Sequence, residues 1–343
     1  MTFQELFGIE LPIIQAPMAG WQGSELTIAV CNAGGLGSLP CAMLSPDAMR
    51  AELMRIRAQT TKPFNVNFFC HTPPAADAAA ETAWRKLLAP YFREFDIDSG
   101  DSAPGPSRAS FSAAAADVLE PFKPAVVSFH FGLPPGDLLQ RVKSWGSKVW
   151  SSATTVAEAL WLEQHGADAI IAQGLEAGGH RGLFLSEDLT TQVGTFALLP
   201  QIARAVRVPV IAAGGIADAK GVAAALSLDA AAVLLGTVYL LCPEAATSQV
   251  HRAALKSVRA TNTALTNLFS GRPARGIVNR LMAELGPINA AAPAFPLASH
   301  ALVSLRKKAE SLGVGDFSPL WCGQNASGCR EISAGALTRT LSG

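Results

Sequence analysis

An excess of charge of either sign is missing from this sequence. Its 343 residues hold 27 basic and 27 acidic side chains, and only 16% are charged. That balance excludes the basic footprint of a nucleic-acid binder and an attraction to an anionic membrane surface. Long hydrophobic runs are missing too, although 49% of the residues are apolar. None approaches the ~18 residues that a membrane-spanning helix needs. The opening MTFQELFGIELP has no basic stretch followed by an apolar one, so no secretory leader is expected and a cytoplasmic location is. Cysteine is sparse and scattered, at 31, 41, 70, 242, 322 and 329, without a C-x-x-C pair. Buried, reduced thiols are the expectation. Several signatures are absent as well. Gly35-Leu36-Gly37 leads to Pro40, not to the third glycine of a dinucleotide fingerprint. There is no P-loop, no G-x-S-x-G, no H-E-x-x-H and no cluster with metal-ligand spacing, so no metal is expected.

What is present is a repeat of short apolar runs and helix-like stretches. Eight runs read as strands: Pro12–Ala16, Leu36–Leu39, Phe64–Phe68, Ala125–Phe129, Lys148–Ser151, Ala169–Ala172, Pro209–Ala213 and Ala231–Leu235. They are continuous rather than alternating, the pattern of parallel strands buried on both faces. Between them lie Ser45–Gln59, Ala75–Phe95, Thr155–Gln164, Gly194–Val206 and Asp218–Ser227, several opened by a capping residue such as Ser45, Thr155 or Asp218. Eight such units predict an α/β fold, a (β/α)8 barrel, ahead of an open doubly wound sheet. Residues 1–242 would form the barrel. A segment at about 96–117, rich in Ser, Pro, Gly and Ala, is inserted in it, as a surface loop or a lid. Residues 243–343 read as a mainly helical extension that covers the active face.

Glycine is concentrated where such a barrel does its chemistry, at the carboxyl ends of the strands. The sixth strand ends in AQGLEAGGHRG, with Gly174, Gly178, Gly179 and Gly182 around His180. The seventh ends in Gly214-Gly215 and the eighth in Gly236-Thr237. Without a Cβ, backbone N–H groups can approach a ligand. The last two loops are the recurrent phosphate site of this fold, where Asp218 opens a helix and amides face an anion. A third glycine loop extends the ligand inward, which describes a mononucleotide-sized cofactor.

In order along the chain, PIIQAPMAG (12–20), NVNFFCH (65–71), VSFHFG (127–132), AQGLEAGGHRG (172–182), PVIAAGGIAD (209–218) and SGRPARG (270–276) resemble the nitronate monooxygenases, formerly called 2-nitropropane dioxygenases, of the class I bacterial kind. The likeness runs from about Pro12 to Gln324. It implies FMN held without a covalent bond. It also implies oxidation of alkyl nitronates by O2 to a carbonyl compound and nitrite, without NAD(P)H. His180 matches the catalytic base. Asn67, Gln173, Gly178, Gly215, Gly236 and Thr237 match flavin contacts, with Gly179 and Gly214 in the same loops, and Ala16, Pro17 and Met18 would lie against the flavin ring. The pattern also departs from the family. Leu234 stands where the family has glutamine, and Phe295 and Ser299 where tyrosines are expected. Tyrosine occurs only at 91 and 239.

An imidazole with an ordinary pKa near ~6.5 can be neutral at working pH and accept a proton, which fits His180 to a base role. His130 either binds substrate or hydrogen-bonds within the rim. His71 and the cysteines read as structural, Glu176 as a brace for its loop, and Arg272 and Arg275 as an inter-element salt bridge ahead of anion steering. Partners are a small nitronate and O2, with the chain a monomer or a homodimer. Two alternatives share the frame. One is an NAD(P)H-dependent flavin reductase of the enoyl-acyl-carrier-protein or quinone type, the other an FMN carrier without turnover.

Overall fold

The computed structural model describes residues 3–98 and 108–343. Eight parallel strands form one sheet: β1 (Ile13–Gln15), β2 (Ser38–Pro40), β3 (Asn65–Phe69), β4 (Val126–His130), β5 (Lys148–Ala153), β6 (Ala169–Gln173), β8 (Val210–Ala213) and β9 (Ala232–Leu235). Three more, β7 (Gly179–His180), β10 (Thr263–Thr266) and β11 (Ala274–Ile277), form a separate antiparallel sheet in the order β10-β11-β7. The large sheet runs β1-β9-β8-β6-β5-β4-β3-β2. It closes on itself where Gln15 N donates to Leu36 O and Leu36 N to Ile13 O, both at 2.9 Å. The chain is therefore a (β/α)8 barrel, and the open-sheet alternative is excluded.

The continuous apolar runs divide between two cores. Along β6, Ala169 and Ile171 point into the barrel with Ile14, Leu36, Trp150 and Ile211. Ile170 and Ala172 point outward, against Leu162, Leu198 and Ile202 of the flanking helices. Each face is dry, so nothing polar interrupts the run. At the amino end of the barrel, Phe3 packs tilted and Phe7 edge-on against Trp150, with ring centroids 5.6 and 4.7 Å away. Ser45, Thr155 and Asp218 cap their helices through the N–H groups of Ala48, Glu158 and Gly221. Strand ends differ from the apolar runs by one to two residues. His130 and Gln173 extend β4 and β6 because ladder bonding, not hydropathy, sets the end.

Two segments depart from the sequence reading. Of 96–117, residues 99–107 lie outside the described residues. The rest is not only loop: Ala113–Leu119 is a helix capped by Ser112, and Ala115, Ala116, Val118 and Leu119 pack in the barrel's outer core. The alanine run reads as low complexity, yet alanine is the strongest helix former. The longer helix Ala78–Glu94 instead buries Trp84, Leu88, Tyr91 and Phe92 against Leu268, Leu281, Leu305 and Phe317, in a second core. The chain after β9 makes a detour rather than a simple tail. Its final helix, Ala334–Leu341, returns to the barrel and packs Ala334, Leu337 and Leu341 into the main core. Tyr239 and Thr338 share a hydrogen bond of 2.9 Å there.

Candidate active site

The carboxyl ends of the strands open onto one cavity. Its lining includes Ala16, Pro17 and Met18 after β1, Asn67 in β3, His130 in β4, Gln173 in β6, Gly178, Gly179 and His180 around β7, Gly214 and Gly215 after β8, and Gly236 and Thr237 after β9. All thirteen residues picked out from six stretches of sequence thus meet in one place.

The glycines shape a floor of exposed amides. Gly214 and Gly215 have φ of 116° and 73°, a region that side chains rarely tolerate. The N–H groups of Gly215, Gly236 and Thr237 find no acceptor among the described residues. Asn325 Nδ2 donates to Gly215 O at 3.0 Å, and Gly323 N donates to Thr237 Oγ1 at 2.9 Å. This loop presses on the sixth-strand glycines: a Cβ at Gly178 would lie 2.6 Å from Gly323 N, whereas one at Gly179 would meet nothing within 4 Å. Unpaired amides in a concave turn accept an anion with several oxygens. Asp218 does not compete for them, because its carboxylate accepts from Gly221 N at 2.8 Å. Across the cavity, Asn67 Nδ2 donates to Ser128 Oγ at 2.9 Å and leaves its Oδ1 without a donor among the described residues. Amide floor, free carbonyl and the apolar Ala16-Pro17-Met18 wall fit the phosphate, polar edge and face of a flavin mononucleotide. Gln173 is more occupied: its Nε2 donates to His180 O at 2.9 Å and its Oε1 accepts from Gly182 N at 2.7 Å.

His180 lies in a strand of two residues. β7 pairs with β11, with His180 opposite Ala274, so the segment after the barrel positions this side chain. His180 Nε2 is 2.9 Å from Ser270 Oγ. Ser270 Oγ also donates to Arg272 O at 3.2 Å. A Ser270 hydroxyl proton given to Arg272 O leaves Nε2 to carry the imidazole's own proton, and Nδ1 has no partner among the described residues. Phe69, Phe131, Phe295 and Trp321 surround the ring, with centroids 5.3 to 6.2 Å away. Burial in this cage pushes its pKa well below the ordinary value, aided by the positive charge of Arg108 and by His130, Arg272 and His71. The imidazole is therefore neutral at pH 7.

His130 uses both ring nitrogens inside the protein, Nδ1 with Ser152 Oγ at 3.0 Å and Nε2 donating to His180 O at 3.1 Å. Burial lowers its pKa to about 4. That is the rim-bracing arrangement. Glu176 braces its loop by accepting from Thr195 N at 2.8 Å and Thr195 Oγ1 at 2.9 Å. Arg272 and Arg275 form no salt bridge among the described residues, contrary to the sequence reading. Arg272 lies 4.2 Å above the Phe131 ring and donates to Leu183 O at 2.6 Å, and Arg275 donates to Leu175 O at 2.9 Å. Loop carbonyls after β6 and β7 offered acceptors that a charge count does not reveal. His71 is buried beside Phe295, at 4.8 Å between rings. All six cysteines are free, and burial raises each thiol above its usual range, Cys31 to about 12.

Sequence reading missed Arg108, Ser270, the aromatic cage, and Gly323 and Asn325. Their separations in sequence, from Phe69 to Asn325, carry no local signal. No helix among the described residues is long and apolar enough to cross a membrane, and no group of three or more metal-binding side chains occurs among them.

A sequence model described as nitronate monooxygenase matches residues 2–342. The chain is 44% identical to a nitronate monooxygenase of Pseudomonas aeruginosa, over 99% of its own length and 97% of that protein's. It is 43% identical to one of Paraburkholderia phytofirmans, over 98% and 92%. Among solved structures it is similar to nitroalkane oxidase from Streptomyces ansochromogenes, with a TM-score of 0.90, 39% identity and coverage of 98% and 96%. It is also similar to FabK from Thermotoga maritima, with a TM-score of 0.73, 28% identity and coverage of 98% and 93%. Full-length matches in sequence and in fold lead to one conclusion: the chain belongs to the nitronate monooxygenase family and is a flavin oxidoreductase.

Proposed function

We propose that the chain binds FMN at the barrel mouth and oxidises alkyl nitronates with O2 to a carbonyl compound and nitrite. The observation that carries this reading is the placement of a neutral imidazole, with a free lone pair, beside a floor of unpaired amides. Gly215, Gly236 and Thr237 would hold the phosphate, Asn67 the polar edge of the flavin, and Ala16, Pro17 and Met18 its face. Bound FMN supplies the two-electron acceptor. The protein supplies the rest. His180 takes the proton from the carbon next to a nitro group, so a neutral nitroalkane becomes the nitronate. In a dry cage an isolated imidazolium is costly, but here it forms together with an anion, and each charge offsets the other. Ser270 keeps the ring's orientation, and the four aromatic rings keep water from the carbanion-like centre.

The likeness to FabK keeps a reductase on the same frame as the second reading, at a lower TM-score and identity than the oxidase. Anaerobic stopped-flow separates them. Propyl-1-nitronate should bleach the bound flavin, and NADH and NADPH should not. Rapid bleaching by NADPH with none by the nitronate would sink the oxidase reading. A yellow protein reduced by neither would be a carrier.

A further inference from the structure

We propose that Arg108 is the anion receptor of this cavity: its guanidinium binds the two oxygens of the substrate's nitronate group and selects that anion over the neutral nitroalkane. The inference rests on the nitronate reading above. Among the described residues, no acidic side chain lines the cavity, and Arg108 is its one charged side chain. No carboxylate pairs with Arg108 among them. A half-buried cation without a counter-ion costs free energy, and an arriving anion recovers it.

The mounting of the guanidinium supports this role. Nη1 donates to Ser299 Oγ at 2.9 Å, and Ser299 Oγ donates onward to Pro296 O at 2.8 Å. Ser299 thus meets Arg108 as an acceptor and fixes one edge of the fork. The remaining N–H groups have no partner among the described residues. The guanidinium carbon is 6.0 Å from the centre of the Phe295 ring, whose centre is 5.3 Å from that of His180. Cation and base therefore both lie beside one aromatic ring. Burial lowers the Arg108 pKa only to about 10, so it stays charged at neutral pH. A nitronate spreads its charge over a planar O–N–O fork, which a guanidinium matches with two parallel hydrogen bonds. The unpaired amides of Gly215, Gly236 and Thr237 lie on the loops after β8 and β9, so the phosphate does not need this arginine.

The test uses FMN-loaded protein as wild type, Arg108→Gln and Arg108→Lys, with far-UV circular dichroism to check the fold. Nitrite, another planar O–N–O anion, is titrated by calorimetry, and kcat/KM is measured for propyl-1-nitronate and for neutral 1-nitropropane. Losing a charge-assisted hydrogen bond predicts a roughly 10- to 100-fold weaker nitrite affinity in Arg108→Gln. A similar loss is expected in kcat/KM on the nitronate, with partial rescue by Arg108→Lys, and turnover of 1-nitropropane falls as well, because its deprotonation by His180 forms the same anion in the cavity. Wild type that takes up no nitrite, unchanged nitrite affinity in Arg108→Gln, or unchanged kcat/KM on the nitronate in that variant would overturn the proposal. Nitrite binding is read without turnover. A protein inert toward nitronates whose nitrite affinity still falls in Arg108→Gln would fail the proposed function and uphold the receptor.

Discussion

His180 shows how a single side chain acquires chemistry from its surroundings. A lone histidine says little, but one whose lone pair has no partner among the described residues, caged by aromatic rings and kept neutral by burial first and nearby positive charge second, is set to accept a proton. His180→Asn should retain FMN yet lower turnover of neutral nitroalkanes by roughly 10²- to 10⁴-fold, and that of preformed nitronates far less. Equal losses on both would remove the base role. The pH dependence has a definite sign. Its pKa lies below the ordinary value, so the base is active above that lowered pKa and is lost as pH falls through it. The acidic limb of kcat/KM on a neutral nitroalkane should therefore lie below pH 6.5 in wild type. A limb centred above pH 6.5 would contradict the neutral cage. His180 was legible from its place after the sixth strand. Arg108 was not, because it sits in a Ser, Pro and Gly-rich stretch that reads as loop.

Among the elements, the loops that carry glycine were readable and the partners pressed against them were not. Gly178 is forced by the backbone of Cys322 and Gly323, which is distant in sequence. Gly178→Ala should displace the 321–325 loop and weaken FMN affinity at least about 10-fold, with the barrel still folded by circular dichroism. Fluorescence titration with FMN checks it, and unchanged affinity would show that the loop yields. The last helix offers a test of packing. Leu337 is 3% exposed in the main core, while Leu312 is 62% exposed. Leu337→Ala should cost about 2–5 kcal/mol in urea unfolding and Leu312→Ala within about 0.5 kcal/mol. Similar costs at both sites would mean that the helix does not belong to the barrel wall. Its place there was hidden because about a hundred residues separate it from β9, and periodicity reports a buried face without naming what covers it.

Across the whole molecule, several buried histidines share one consequence. His71, His130 and His251 have pKa values lowered to about 4, first by burial. Their unfolded values lie near ~6.5, so between these limits the unfolded chain binds more protons than the folded one. Stability then rises with pH through that window and is lost as pH falls. Each fully buried histidine adds at most about 1.4 kcal/mol per pH unit. The urea midpoint should fall from pH 7 to pH 5, above the range where carboxylates titrate, and a flat midpoint would refute the assignment. The amino-acid sequence by itself determined the barrel and the glycine-lined mouth. Continuous apolar runs require a two-faced dry sheet, and glycine clusters mark where backbone must approach a ligand. Only the tertiary structure decided which helix completes the barrel, that β11 and Ser270 hold His180, and that Arg108 and four aromatic rings from distant segments close around it. Hydrophobic burial is non-directional and names no partner, so these choices depend on packing between segments that no local pattern encodes.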